Sequence, residues 1–221
     1  PAETEQTVIL AMACFSRPGG GCNAGAGAML APMRCAVLLV LAAVLPAAEL
    51  RTRPATWAQP VLSVAGADPA LENWHVVDAR VQRSAQPDRA GMRAATAAGI
   101  RTVLNLRSWH DDEDEAKGTG LHLLRIPMDA GEITYAQLVQ AVQAIRTATG
   151  PVLVHCWHGS DRTGAVVAAW RIAAQGWDPA AAAEELADGG FGHHEDWFPN
   201  IVALVRGLDP VRFRRDTGFA D

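Results

Sequence analysis

Hydrophobic and polar positions change period several times between residue 74 and the C-terminus, and each change marks an element. His75 to Asp78 and Val81 to Ser84 read as short strands or an extended pair. Asp88 to Ala98 is Ala-rich, opens on Asp and stops at Gly99, which predicts a helix. Thr102 to Leu106 is β-branched and apolar, a strand. The acidic run Asp111 to Glu115 predicts a solvated loop or a helix start. Leu121 to Ile126 is another apolar strand, halted by Pro127. In Thr134 to Thr147, residues Leu138, Val139, Val142 and Ile145 share one helical face. Gly150-Pro151 breaks that helix, and Val152-Leu153-Val154 is wholly apolar, as a buried parallel strand requires. Helices then fit Arg162 to Ala174, Pro179 to Ala187 and Asp196 to Arg206, with the Gly-rich loop 189–194 between the last two. Strands alternating with helices predict an α/β fold: a central, mostly parallel sheet flanked by helices on both faces. Functional sites in such sheets lie beyond the carboxyl ends of the strands.

The N-terminal pattern is different. Residues 34–48 place Arg34 before an apolar run that ends in small residues, the layout of a secretory signal peptide. The run is shorter than the roughly 18 apolar residues that span a bilayer, so cleavage after Ala48 or Ala58 is favoured over an anchor. The expected organisation is a disordered or spurious upstream extension at 1–32, a signal peptide at 33–48 starting at Met33 (or Met29), and a linker at 49–72. A single domain follows at 73–208, and a C-terminal tail at 209–221. The implied location is the periplasm or outside the cell, with no stable membrane insertion after cleavage. Cys14, Cys22 and Cys35 precede the cleavage points, so the mature chain keeps Cys156 alone and forms no internal disulfide. With 49% apolar and 19% charged residues the chain is globular rather than disordered. A net charge of -5 excludes bulk binding to nucleic acid or anionic membrane and leaves room for a local anion site.

The candidate chemistry lies between the strand at Val152–Val154 and the helix that follows. From Cys156 to Arg162 the backbone must curl tightly, which Gly159 and Gly164 permit. Several N–H groups then point at one spot, and the helix N-terminus adds partial positive charge. Arg162 adds a full charge and a planar fork matched to two phosphate oxygens. The result is a cradle for a tetrahedral dianion. A thiol in such a field ionises more readily, and a thiolate attacks phosphorus. A lone Cys is more commonly core filler, but filler needs neither an Arg six positions on nor a Gly between.

The string His155-Cys156-Trp157-His158-Gly159-Ser160-Asp161-Arg162-Thr163-Gly164 resembles the His-Cys-x5-Arg-Ser/Thr loop of the protein tyrosine phosphatase superfamily, in a form common among bacterial members. Residues Arg83 to Pro87 and Gly99 to Arg107 are similar to segments that open compact, dual-specificity-type bacterial domains. Arg171 to His194 looks like the tail of periplasmic phosphatases of this type. The resemblance implies the compact cysteine-phosphatase fold and a cysteinyl-phosphate formed on Cys156. It implies that Arg162 and the loop amides hold the equatorial oxygens and that Thr163 hydrogen-bonds the thiolate. His155, Trp157, His158, Gly159, Ser160, Asp161 and Gly164 complete the substrate-binding loop, with His155 supporting it and tuning the sulfur. It also calls for a general acid on a nearby loop. Asp129 fits, 27 residues before Cys156, with Glu132 as runner-up. An ordinary role for Asp129, at the N-terminus of the helix beginning near Thr134, stays open.

Rival readings are weaker. A metal site would lack spaced ligand pairs and would face repulsion from Arg162, and His193 and His194 are expected at the cleft rim or on the surface. A rhodanese-like sulfurtransferase has no need of Asp129, and an inactive phosphate-binding module would usually have lost Cys156 or Arg162. No cofactor is implied. Among the loop's variable positions only His158 can become cationic and Asp161 opposes extra phosphates, which favours a phosphorylated protein side chain over an inositol phosphate or phosphoinositide; a structural role for Asp161, bound to a neighbouring backbone or Arg, stays open. Trp170, Trp177, Phe191, Trp197 and Phe198 are expected mostly in the core, with Trp157 at the cleft wall.

Overall fold

The computed structural model describes residues 59–60 and 71–219. The expected upstream extension, signal peptide and most of the linker lie outside the described residues. Six strands form one sheet among the described residues: β1 (Gln59–Pro60), β2 (His75–Val76), β3 (Val81–Ser84), β4 (Thr102–Asn105), β5 (His122–Arg125) and β6 (Val152–His155). Their spatial order is β1-β2-β3-β6-β4-β5. The pairs β3–β6, β6–β4 and β4–β5 are parallel, while β1 and β2 form an antiparallel edge.

Alternation along the central strands builds two cores. Val152 and Val154 of β6 and Leu104 of β4 belong to the larger one, under α2 (Tyr135–Thr147), α3 (Asp161–Gln175), α4 (Pro179–Asp188), α5 (Pro199–Arg206) and α6 (Pro210–Thr217). Leu153 and Val103 belong to the smaller one, with Met92 and Ala95 of α1 (Arg89–Ala97). Each of these fully buried large side chains contributes roughly 1.5–3 kcal/mol by leaving water. Helix starts follow local chemistry. Asp88 accepts the Gly91 N–H at 2.7 Å, Thr134 and Gln137 form a capping box, and Asp178 and Asp209 each precede a Pro in the first turn.

Two expected boundaries shift. The helix expected from Asp196 begins at Pro199, whose fixed φ suits a first turn. The expected tail at 209–221 contains α6, which buries Phe213 completely. Its apolar content is low, so periodicity alone did not expose it. A buried ion pair joins α3 to α4: Arg171 donates to both Glu185 oxygens at 3.0 and 2.8 Å and to the Val77 carbonyl at 3.2 Å. Ser84, Asn105 and His155 pair across the three central strands, so the carboxyl ends of β3, β4 and β6 stop in line. The candidate loop begins at that line.

Candidate active site

Cys156 follows β6 directly and is 2% exposed. The turn after it lies against β3. Gly159 has φ +74°, and a Cβ there would stand 2.5 Å from the Ser84 carbonyl carbon and oxygen. Only glycine meets both the left-handed backbone and that approach. The loop's carbonyls are held from outside the loop. Arg83, fully buried, donates Nη2 to the Gly159 carbonyl at 2.7 Å and lies 4.0 Å over the Phe191 ring. Asn73, itself left-handed at φ 51°, donates Nδ2 to the carbonyls of His158 and Phe191, both at 3.0 Å. Ser160 Oγ donates to the Phe191 carbonyl at 2.8 Å. No backbone N–H from Trp157 to Thr163 donates to another described residue. With their carbonyls engaged, these N–H groups at the start of α3 are available to an anion.

The guanidinium of Arg162 reaches toward the segment after β5 that carries Asp129, donating Nη1 to the Met128 carbonyl at 3.4 Å. Its Nε and the Thr163 hydroxyl are buried without a hydrogen-bond partner among the described residues. Unpaired buried donors are costly unless something fills them. Arg162, Asp129, Ala130, Arg107, Ser108, Trp109, Trp157 and Phe198 line one cleft of about 320 Å³. Cys156 does not itself line that cleft, although its neighbour Trp157 does. Asp129 is exposed and accepts the Gly131 N–H at 2.9 Å, capping the 3-10 turn Ala130–Glu132. It therefore occupies a capping position and a cleft position at once. Glu132 is exposed and outside the cleft lining.

Beneath the loop, His155 is fully buried with Nε2 2.9 Å from Asp112 Oδ2 and Nδ1 3.2 Å from the Cys156 carbonyl. Asp112 is 3% exposed, which corrects the reading of Asp111–Glu115 as a solvated run. Its Oδ1 accepts from Gln86 Nε2 at 2.9 Å, and Gln86 Oε1 accepts from Arg107 Nη1 at 2.9 Å. The Arg107 guanidinium lies 4.1 Å over the Trp157 ring. Burial raises the Asp112 carboxyl, but the hydrogen bonds and charge of His155, with Gln86, hold it below the usual carboxylate range. Arg107 is pulled down by burial and by Arg162, and pulled back by Asp112 and Cys156. Burial pushes Arg83 down to about 10 against the charges of Glu185 and Cys156, so it stays cationic at neutral pH. Two guanidiniums outside the loop, those of Arg83 and Arg107, thus interact electrostatically with the sulfur.

Asp161, expected to oppose extra phosphates, is 6% exposed and turned to the Gly-rich loop. It accepts from His193 Nδ1 at 2.9 Å, from the His194 N–H at 2.9 Å and from His194 Nδ1 at 2.8 Å. His158 and His194 offer ligand atoms within 4.8 Å of each other and of Asp161, yet the Asp161 oxygens are taken by these bonds. Trp197, expected in the core, is 70% exposed and stacks on His194 with ring centroids 5.3 Å apart. The residues the sequence reading missed are Asn73, Arg83, Gln86, Arg107, Trp109 and Asp112. Arg83, Gln86 and Arg107 fall in segments already noted for their resemblance, which was the available signal; Asp112, Asn73 and Trp109 had none.

A family model described as a DSP-PTPase phosphatase fused to NAD+ kinase matches residues 55–196. The dual specificity protein phosphatase TpbA of Pseudomonas aeruginosa is 35% identical over 162 residues, covering 72% of this chain and 69% of TpbA. The crystal structure of P. aeruginosa TpbA in complex with pTyr is similar with a TM-score of 0.65 at 32% identity, over 76% of this chain and 100% of that one. The catalytic core of the PP-IP phosphatase SIW14 from S. cerevisiae, at 19% identity and a TM-score of 0.55 over 66% of this chain and 91% of its own, shares the fold alone.

Proposed function

The chain belongs to the dual-specificity (DSP-PTPase) phosphatase family and is a phosphatase, and from that premise we propose that it hydrolyses phosphotyrosine on protein through a cysteinyl-phosphate on Cys156. Phosphoserine and phosphothreonine are secondary substrates in this reading. The observation that carries it is the meeting of Arg162 and Asp129 with three aromatic side chains, Trp109, Trp157 and Phe198, in one cleft beside the Cys156 loop. The cation suits the phosphoryl oxygens, and the aromatic lining suits the ring that bears them. Export to the periplasm belongs to the same proposal and rests on residues 33–48 alone.

In the first step the Cys156 sulfur bonds to phosphorus, the phosphorus–oxygen ester bond breaks, and Asp129 gives its proton to the leaving phenolate. The amides of the loop and Arg162 stabilise the equatorial oxygens. In the second step water attacks phosphorus, Asp129 takes the water's proton, and the sulfur–phosphorus bond breaks. In this reading the Thr163 hydroxyl, buried and without a partner among the described residues, donates to the departing thiolate.

A phosphoinositide or inositol phosphate substrate is favoured by one observation, the second guanidinium that Arg107 brings to the cleft. Assays on a phosphotyrosine peptide and a phosphoinositide decide between the two. Cys156→Ser abolishes turnover in either case, and Asp129→Ala lowers kcat about 10²–10³-fold on a substrate with a poor leaving group. Retained activity in Cys156→Ser overturns the mechanism; phosphoinositide turnover far above peptide turnover overturns the substrate.

A further inference from the structure

The segment that carries Asp129 is held by its carbonyls. Gln137 Nε2 of α2 donates to the Pro127 carbonyl at 3.0 Å. Ser108 Oγ donates to the Met128 carbonyl at 2.8 Å, and Arg162 Nη1 reaches the same oxygen. The Asp129 carbonyl accepts the Glu132 N–H at 3.1 Å. The Ala130 carbonyl accepts Asn200 Nδ2 at 3.0 Å. Before Asp129 the segment is thus gripped by side chains of three other elements and loops. From Ala130 to Ile133, Asn200 is the one outside side chain that hydrogen-bonds it among the described residues.

The Asp129 carboxyl follows that turn. Its Oδ1 accepts the Gly131 N–H at 2.9 Å, so Oδ2 is the oxygen left to carry a proton into the cleft that Asp129 lines. Asn200 is the second residue of α5, and Phe198, just before that helix, lines the same cleft. The start of α5 therefore supplies both a wall of the cleft and the tie on the turn. We propose that Asn200 is a positioning residue that, by gripping the Ala130 carbonyl, holds the turn where Asp129 Oδ2 meets the leaving oxygen. This rests on the reading of Asp129 as the general acid. Without the Nδ2 donor the partly buried Ala130 carbonyl loses the side chain that satisfies it, and the turn shifts toward water. A shift of about 1 Å at a reacting group is enough to slow the step severely.

Phenyl phosphate and 2,4-dinitrophenyl phosphate separate this role from a general loosening of the fold. Phenolate leaves poorly without a proton, whereas dinitrophenolate needs none. The readout is kcat/KM, which covers the steps up to the cysteinyl-phosphate. In the full chain, Asn200→Ala is expected to lower it about tenfold on phenyl phosphate and less than about twofold on the dinitrophenyl ester. Adding Asn200→Ala to Asp129→Ala changes the phenyl phosphate value by less than about twofold, because one residue acts through the other. Equal losses on the two esters in Asn200→Ala overturn the proposal. So does a phenyl phosphate value within about twofold of wild type, or a double variant in which the two losses multiply. Should Asn200→Ala fail to melt cooperatively, Asn200→Leu, which fills the site without the donor, is read by the same ratios. Asp129→Ala keeps the two possible failures apart. If it loses as much on one ester as on the other, Asp129 is not the acid and the proposal falls with that reading. If it shows the split and Asn200→Ala does not, the proposal falls alone.

Discussion

Gly159 carries two constraints that no other residue meets together. Its φ of +74° is costly for an L side chain, and the added methyl would press on the Ser84 backbone, which has no rotamer to yield. Gly159→Ala is expected to cost about 2–4 kcal/mol, measured as a lower urea midpoint, with a larger proportional loss in kcat as the turn moves. The signal for Gly159 was legible in the sequence because the spacing from Cys156 to Arg162 is local. Asp112 was not, because its partner His155 lies 43 residues away and its acidic neighbours disguise it. A run of like charges predicts solvation on average, and one member of this run is withdrawn from solvent by an imidazole. Asp161 had two readings open for a related reason: its position in the loop is fixed by sequence, while its direction is fixed by His193 and His194 more than thirty residues on.

At the scale of elements, the parallel strands and the capped helices were readable because their causes are short-range: alternation, a capping Asp or Thr, a Pro in the first turn. β2 falls within the strand expected at His75 to Asp78, whereas β1 and the last helix depend on what they pack against. α6 is polar by composition, yet Phe213 is fully buried, Arg146 donates to the Thr217 carbonyl at 3.1 Å, and Tyr135 donates to Asp216 at 2.8 Å. Phe213→Ala is expected to destabilise by about 3–5 kcal/mol, read as a fall in Tm, and removal of residues 210–221 by at least as much. The Gly-rich loop has a pH-dependent tie. Burial raises the Asp161 carboxyl, but the bonds from His194 and His193 hold it below its ordinary range. A lowered folded pKa gives stability that is complete above the ordinary carboxylate value near 4 and is lost as pH falls through the folded value. The stability difference between wild type and Asp161→Asn is therefore expected to stay level from about pH 7 to 5 and to shrink below about pH 4, in urea titrations at each pH.

For the molecule as a whole, Cys156 is the one free cysteine among the described residues, and it is 2% exposed. The sulfur is therefore nearly enclosed rather than open to solvent. Among the described residues no second thiol is present to trap a sulfenic acid as a disulfide. Peroxide is expected to inactivate the enzyme, with early recovery by an added thiol and progressive loss of that recovery as oxidation proceeds, followed by activity and intact mass. Phosphate or another oxyanion in the cleft is expected to slow both.

The ten-residue loop is a poor candidate for grafting. Transplanted to the strand end of another α/β sheet, it would carry its cysteine and one arginine but leave behind the side chains of Arg83 and Asn73 that grip its carbonyls. It would also lack the bare stretch of main chain at Ser84 into which Gly159 is pressed. A host protein would have to supply all three before the motif closed into a working shape.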